Sequence, residues 1–176
     1  MTTPETRAPR RIVLTGFMGS GKTTVGPLVA SRLGWRFLDV DDVIVAEAGC
    51  PIPEIFRLHG ETAFRDIERA TIARLAASDS LVMALGGGAI EDSATRELLL
   101  GDSATLLIHL EVALATTLER CRGTEGERPV LADQANLASR YQRRLPLYRL
   151  AHRSIAVDAL TPDEVAEAIV RAAGMQ

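Results

Sequence analysis

The chain has 176 residues, 47% apolar and 24% charged, which is the length and composition of one globular domain and excludes wholesale disorder. Its formal charge is −3, from 20 basic against 23 acidic residues, so no bulk field favours nucleic acid or an acidic membrane surface. No apolar run approaches the roughly 20 residues of a membrane helix, and Cys50 and Cys121 form neither a metal spacing nor a disulfide framework; a reduced, cytoplasmic setting is expected.

Residues 1–10 are polar, with Pro4 and Pro9, and read as a short disordered tail rather than a signal or transit peptide. Ile12-Val13-Leu14 is a buried strand ending at Thr15-Gly16. Apolar residues at helical spacing predict a helix over Lys22–Leu33, stopped by Gly34. Phe37-Leu38 is a second strand ending at Asp39. Helical stretches follow at Asp42–Ala48, Pro51–Leu58 and Glu61–Ala77. Leu81–Leu85 is a third strand, halted by Gly86-Gly87-Gly88, and a helix is expected over Glu91–Leu100. Thr105–Leu110 then reads as strand and Val112–Arg122 as helix. The pattern breaks into glycine, charge and Pro129 between Gly123 and Asn136, which is loop chemistry. Leu137–Leu150 returns to helix, to be bent or ended by Pro146. Ser154–Val157 is a last strand, and Pro162–Ala173 a last helix with Thr161 as its N-cap. Continuous apolar strands alternating with helices predict a parallel sheet covered on both faces, with ligands at the carboxyl ends of the strands.

Of the 20 basic residues, one is lysine, namely Lys22. It falls inside Gly16-Phe17-Met18-Gly19-Ser20-Gly21-Lys22-Thr23, which satisfies G-x-x-x-x-G-K-[ST] in full. Glycines let backbone N–H groups turn inward around phosphate oxygens, and the helix that follows points its positive end at the anion. Lys22 then reaches the β- and γ-phosphates, and the Thr23 hydroxyl is placed to ligate Mg²⁺. A regulatory GTPase is excluded, since it needs a second lysine in an Asn-Lys-x-Asp segment. A small kinase for a small molecule remains.

Further segments follow in order. They are Phe37 to Ile44 with Asp39, Asp41 and Asp42; Ile52-Pro53-Glu54-Ile55-Phe56; and Gly60-Glu61 through Phe64-Arg65-Asp66-Ile67-Glu68. Gly86-Gly87-Gly88-Ala89, Arg128-Pro129-Val130-Leu131 and Arg144-Leu145-Pro146-Leu147-Tyr148 complete the series. Together with the phosphate loop, this order resembles the shikimate kinase family from Ile12 to about Val157.

The resemblance implies a P-loop α/β fold of three layers, α/β/α, with a five-stranded parallel sheet in the order 2-3-1-4-5. It implies one domain over 11–176, of the nucleoside-monophosphate-kinase type, with substrate-binding helices at about 42–77 and a short lid at about 123–136. The activity implied is transfer of the γ-phosphoryl of MgATP to the 3-hydroxyl of shikimate, by a monomer with no nucleic-acid or membrane partner. Lys22, Asp41 and Arg128 are then the catalytic residues. Gly19, Ser20, Gly21, Lys22, Thr23, Thr24 and Arg128 are placed on the nucleotide, with Arg120 or Arg122 on the adenine face. Asp39 joins Thr23 at Mg²⁺. Asp41, Arg65, Arg144, Gly86, Gly87 and Gly88 meet the substrate, walled by Phe56 and Phe64.

Several of these residues carry a second reading. Asp41 could equally cap the helix beginning near Asp42, and Glu61, Arg65 and Glu68 have the spacing of helix-surface ion pairs. Gly26-Pro27 departs from the family's glycine-basic pair, and 159–162 lacks an adenine-side arginine. A gluconate or nucleoside-monophosphate kinase, and a non-catalytic ATP-binding relative, are the alternatives.

Overall fold

A computed structural model describes residues 8–121 and 134–175. The chain runs β1 (Arg11–Thr15), α1 (Lys22–Leu33), β2 (Arg36–Asp39), α2 (Val40–Ala48), α3 (Ile52–Leu75) and β3 (Leu81–Ala84). A short 3₁₀ turn at Ala89–Glu91 leads to α4 (Ser93–Gly101), β4 (Thr105–Glu111), α5 (Leu114–Arg120), α6 (Gln134–Tyr148), β5 (Arg153–Ala156) and α7 (Pro162–Ala172).

The five strands form one parallel sheet in the order β2-β3-β1-β4-β5, as the family resemblance implies. Strand β1 is central, and Ile12, Val13 and Leu14 are wholly buried because helices cover both of its faces. Leu81–Ala84 of β3 is buried throughout, whereas the edge strands β2 and β5 are largely part-exposed. The burial expected of the first strand is thus observed, and the sheet is covered most completely at its centre.

Local chemistry sets most boundaries. Gly34 ends α1 in the left-handed conformation. Thr161 opens α7 with a capping box to Glu164, and Pro162 fills the first helical position. Gly26 is explained by packing: a Cβ there would lie 2.1 Å from the Phe37 ring, so this turn of α1 rests directly on β2. Pro27 continues within the helix.

Four expectations are corrected. Helix α2 starts at Val40, and its cap is Asp39, whose carboxylate accepts the Asp41 N–H at 3.0 Å; Asp41 is not the cap. The helix expected over Glu91–Leu100 is observed over Ser93–Gly101, whereas the two helices expected on either side of residue 60 are present, separated where Gly60 takes φ 80° and ψ 170° within α3. Helix α6 begins at Gln134, inside the span expected as loop, and Pro146 does not halt it until Tyr148. The expected helix over Val112–Arg122 is observed over Leu114–Arg120. Residues 122–133, with most of the expected lid, lie outside the described residues, as do Arg122 and Arg128.

Candidate active site

The carboxyl ends of β1, β2 and β3 open into one cavity of about 780 Å³. On one side lies the loop between β1 and α1. Gly16, Gly19 and Gly21 have φ values of 148°, 75° and 91°, and a Cβ on Gly16 would approach the Leu110 carbonyl to 2.6 Å. Only glycine allows the chain to turn so tightly here. Lys22 Nζ donates to the carbonyls of Gly16 at 2.7 Å and Phe17 at 3.2 Å, which draws the two ends of the loop together. Gly19, Ser20, Gly21, Lys22, Thr23 and Thr24 all line the cavity. The loop meets the first turn of α1, so the positive end of that helix faces the same space.

Strand β2 ends one step away, and its register delivers two carboxylates. Thr23 Oγ1 donates to Asp39 Oδ2 at 3.1 Å, bringing a hydroxyl and a carboxylate from separate elements together. Asp41 lies two residues on, at the mouth of β3. Burial, then the neighbouring Asp39 charge, push its carboxyl up to about 6 from an ordinary 3.8, against the lowering influence of Lys22 and Arg65.

The far side of the cavity holds Arg65, Arg144 and the three glycines after β3. Two of these glycines, Gly86 and Gly88, are crowded by neighbouring side chains, whereas Gly87 has room for ordinary contact only. A Cβ on Gly86 would come within 2.8 Å of Asp41 Oδ1 and 2.9 Å of Glu68 Oε1, and one on Gly88 within 2.6 Å of the Arg65 guanidinium. At Gly87 the nearest atoms would be Arg144 Nη1 and the Tyr148 hydroxyl. Arg65 donates to Glu68 Oε2 at 2.6 Å and to Glu61 at 3.4 Å, so the helix-surface pairing read from the spacing is present. It is not a surface feature, however: Glu68 is 2% exposed, its Oε1 has no hydrogen-bond partner, and burial raises its carboxyl above the ordinary range.

Arg144 is 5% exposed and is held by Glu91 at 2.8 Å, across 53 positions of sequence. Glu91 also receives Arg143 at 2.9 Å, and hydrogen bonds from both arginines outweigh its burial, keeping its carboxyl below the ordinary range. Phe56 and Phe64 stack at 4.7 Å between ring centres and form an apolar wall. Arg120 bridges the Gly19 carbonyl at 3.0 Å and the Val157 carbonyl at 3.2 Å, beside the phosphate loop.

A family model described as shikimate kinase matches residues 18–173. The chain is 41% identical to the shikimate kinase of Salinibacter ruber, over 85% of this chain and 78% of that one. It is 38% identical to the shikimate kinase of Persephonella marina, over 92% and 97%. The chain belongs to the shikimate kinase family. Its backbone is similar to the shikimate kinase of Acinetobacter baumannii in complex with shikimate, with a TM-score of 0.86 and 34% identity over 93% of this chain and 92% of that one. The P-loop kinase fold, the ATP-dependent phosphotransferase class and the shikimate kinase reading implied by the sequence all agree with these similarities.

Within this shikimate kinase fold, every described residue assigned to the site lines the one cavity, Arg120 and Asp39 among them. Sequence reasoning passed over three others. Glu68 was legible only as a helix-surface partner of Arg65 and Glu91 only as a charge; the signal for their place in the site was pairing with the half-buried Arg65 and the buried Arg144. Arg140 also lines the cavity, one helical turn before Arg144, and the i, i+4 spacing of the two could have identified it.

Proposed function

We propose that this chain transfers the γ-phosphoryl group of ATP to the 3-hydroxyl of shikimate, giving shikimate 3-phosphate and ADP. One observation carries the reading. Two buried or half-buried guanidiniums, Arg65 and Arg144, share a cavity with the phosphate loop and with Asp41, a carboxylate raised in basicity that feels both Lys22 and Arg65. A small ring that bears a carboxylate and hydroxyls matches that charge pattern, since a carboxylate suits planar forks and a hydroxyl suits a basic acceptor.

In this reading the loop amides and Lys22 bind the phosphates and neutralise charge as it spreads to the transferring group. Asp41 accepts the hydrogen of the attacking hydroxyl. At neutral pH it is mostly ionised, yet basic enough to take the proton as the new O–P bond forms and the bond to ADP breaks. Arg65 and Arg144 hold the substrate carboxylate, Gly86, Gly87 and Gly88 admit its ring to the backbone, and Phe56 and Phe64 pack its apolar face. Thr23 and Asp39 offer a hydroxyl and a carboxylate 3.1 Å apart, the sparse oxygen set that suits Mg²⁺ with water and phosphate completing its shell. Bound there, Mg²⁺ would draw negative charge from the phosphates. Arg120 lies on the nucleotide side, and Arg128, with Arg122 as the other adenine-face candidate, belongs to the proposed lid. A monomer working in the cytoplasm completes the proposal; no helix among the described residues is long and apolar enough to cross a membrane.

The test is ADP release with shikimate, gluconate and nucleoside monophosphates offered separately. Turnover with shikimate alone is expected. Faster turnover with gluconate or a nucleotide would replace the acceptor, and inactivity with all of them would mark a nucleotide-binding relative without catalysis.

A further inference from the structure

Tyr148 takes no part in the chemistry above, yet it is the largest fully buried side chain of the described residues, 1% exposed at the last turn of α6. Its ring lies flat on His109 of β4, 5.1 Å between centres and 18° between planes. His109 is itself buried, and its imidazole is pushed down to about 4, so it stays neutral at physiological pH. The Tyr148 hydroxyl donates to the Gly87 carbonyl at 2.6 Å, and the Arg144 guanidinium flanks the same glycine. Burial holds its titration far above the ordinary range, so the donor proton is always present.

We propose that Tyr148 is a positioning residue that locks the Gly87–Gly88 peptide in the orientation needed for the acceptor substrate. The peptide unit is planar and trans, so the Gly87 carbonyl and the Gly88 N–H point to opposite sides of the chain. A hydroxyl that draws the carbonyl toward the core therefore turns the Gly88 N–H away from it, and Gly88 lines the cavity. Glycine on both sides of a peptide would otherwise let that unit rotate, because neither residue carries a Cβ to resist. Arg144 Nη1 and the Tyr148 hydroxyl are the nearest groups to Gly87, so the tyrosine holds the backbone beside that guanidinium. This assignment rests on the reading of the glycine segment as the acceptor site.

Tyr148→Phe in the full chain removes the hydroxyl and keeps the ring and its stack. KM for shikimate should rise about tenfold, the scale of one buried hydrogen bond, while KM for ATP stays nearly unchanged and the melting temperature falls by only a few degrees. Equal rises in both constants, or no rise in either, would overturn the assignment. A second measurement needs no variant and no turnover. In the unaltered, ligand-free protein the Tyr148 hydroxyl proton should be a slowly exchanging NMR resonance, and the Gly88 amide should lack exchange broadening. A hydroxyl proton that exchanges as an exposed one does would sink the lock whatever the kinetics. A protected hydroxyl and rigid amide in a protein inert toward shikimate would support the lock and remove shikimate as its ligand.

Discussion

The two ends of the cavity are built on different principles. The phosphate-binding core of the nucleotide end is one contiguous stretch, Gly16–Thr23, whose lysine is satisfied in part by the loop's own carbonyls and whose conformation follows from its own glycines. The acceptor end is assembled from α2, α3, the β3 glycines and α6, and each of its guanidiniums has a carboxylate partner: Glu68 and Glu61 for Arg65, Glu91 for Arg144. A local device tolerates change elsewhere in the molecule, whereas a convergent one depends on every element that supplies it. Damage at the first should therefore abolish chemistry and leave the fold intact, while damage at the second should mix binding with stability.

The sharpest break comes from Lys22→Met. It should lower kcat by about a thousandfold through lost charge stabilisation, with shikimate affinity and melting temperature close to normal. Steady-state kinetics with thermal unfolding checks this, and survival of near-normal turnover would remove Lys22 from the chemistry.

At the acceptor end, Arg144→Ala should raise KM for shikimate about a hundredfold and leave KM for ATP nearly unmoved. Arg65→Ala should also weaken shikimate binding, and it should lower the melting temperature further than a surface change does, because Glu68 is then left buried without its cation. An equal loss of ATP and shikimate affinity in Arg65→Ala would make that arginine structural.

Asp41 ties the two ends together through pH. Turnover should fall by about tenfold for each unit below pH 6, as the acceptor carboxylate is protonated. Stability runs the other way at this residue. Its folded value, about 6, exceeds the ordinary 3.8, so folding disfavours the ionised form, and this cost is present above pH 6 and vanishes as pH falls toward 4. Asp41→Asn should thus be more stable than the parent at pH 7.5, by a margin that narrows through pH 6 in paired denaturant titrations. A margin that does not depend on pH would refute the buried-charge account.

The smallest effect lies outside the cavity. Gly26→Ala should cost about 1–3 kcal/mol of stability by overpacking the Phe37 ring, with kcat per folded molecule unchanged.

Much of the fold was legible because its strands are short apolar runs closed by glycine or acid, and its helices carry their own stops, as Gly34 and Thr161 do. The misread segments are those where a nonlocal partner outweighed a local signal. Asp39 displaced Asp41 as the cap because α2 begins at Val40, directly after β2 and two residues before the start that the acidic run suggests. Helix α6 passes Pro146 because its ends are held elsewhere, by Leu137 in the core and by the Tyr148 hydroxyl on Gly87.

The sequence by itself determined the phosphate loop and the class of chemistry, since a glycine-rich turn between strand and helix needs no distant residue to take its shape. The family resemblance names Arg144 among the α6 arginines, and only the folded chain supplies the physical reason that it serves the cavity from within the core. Arg140, Arg143 and Arg144 are chemically alike along the chain, and the choice was made by Glu91 and by the walls around it: Arg144 is buried against that carboxylate, while Arg143 meets it from the exposed side. A guanidinium can be taken out of water only where a counter-charge waits, and where that charge waits is a property of the folded chain.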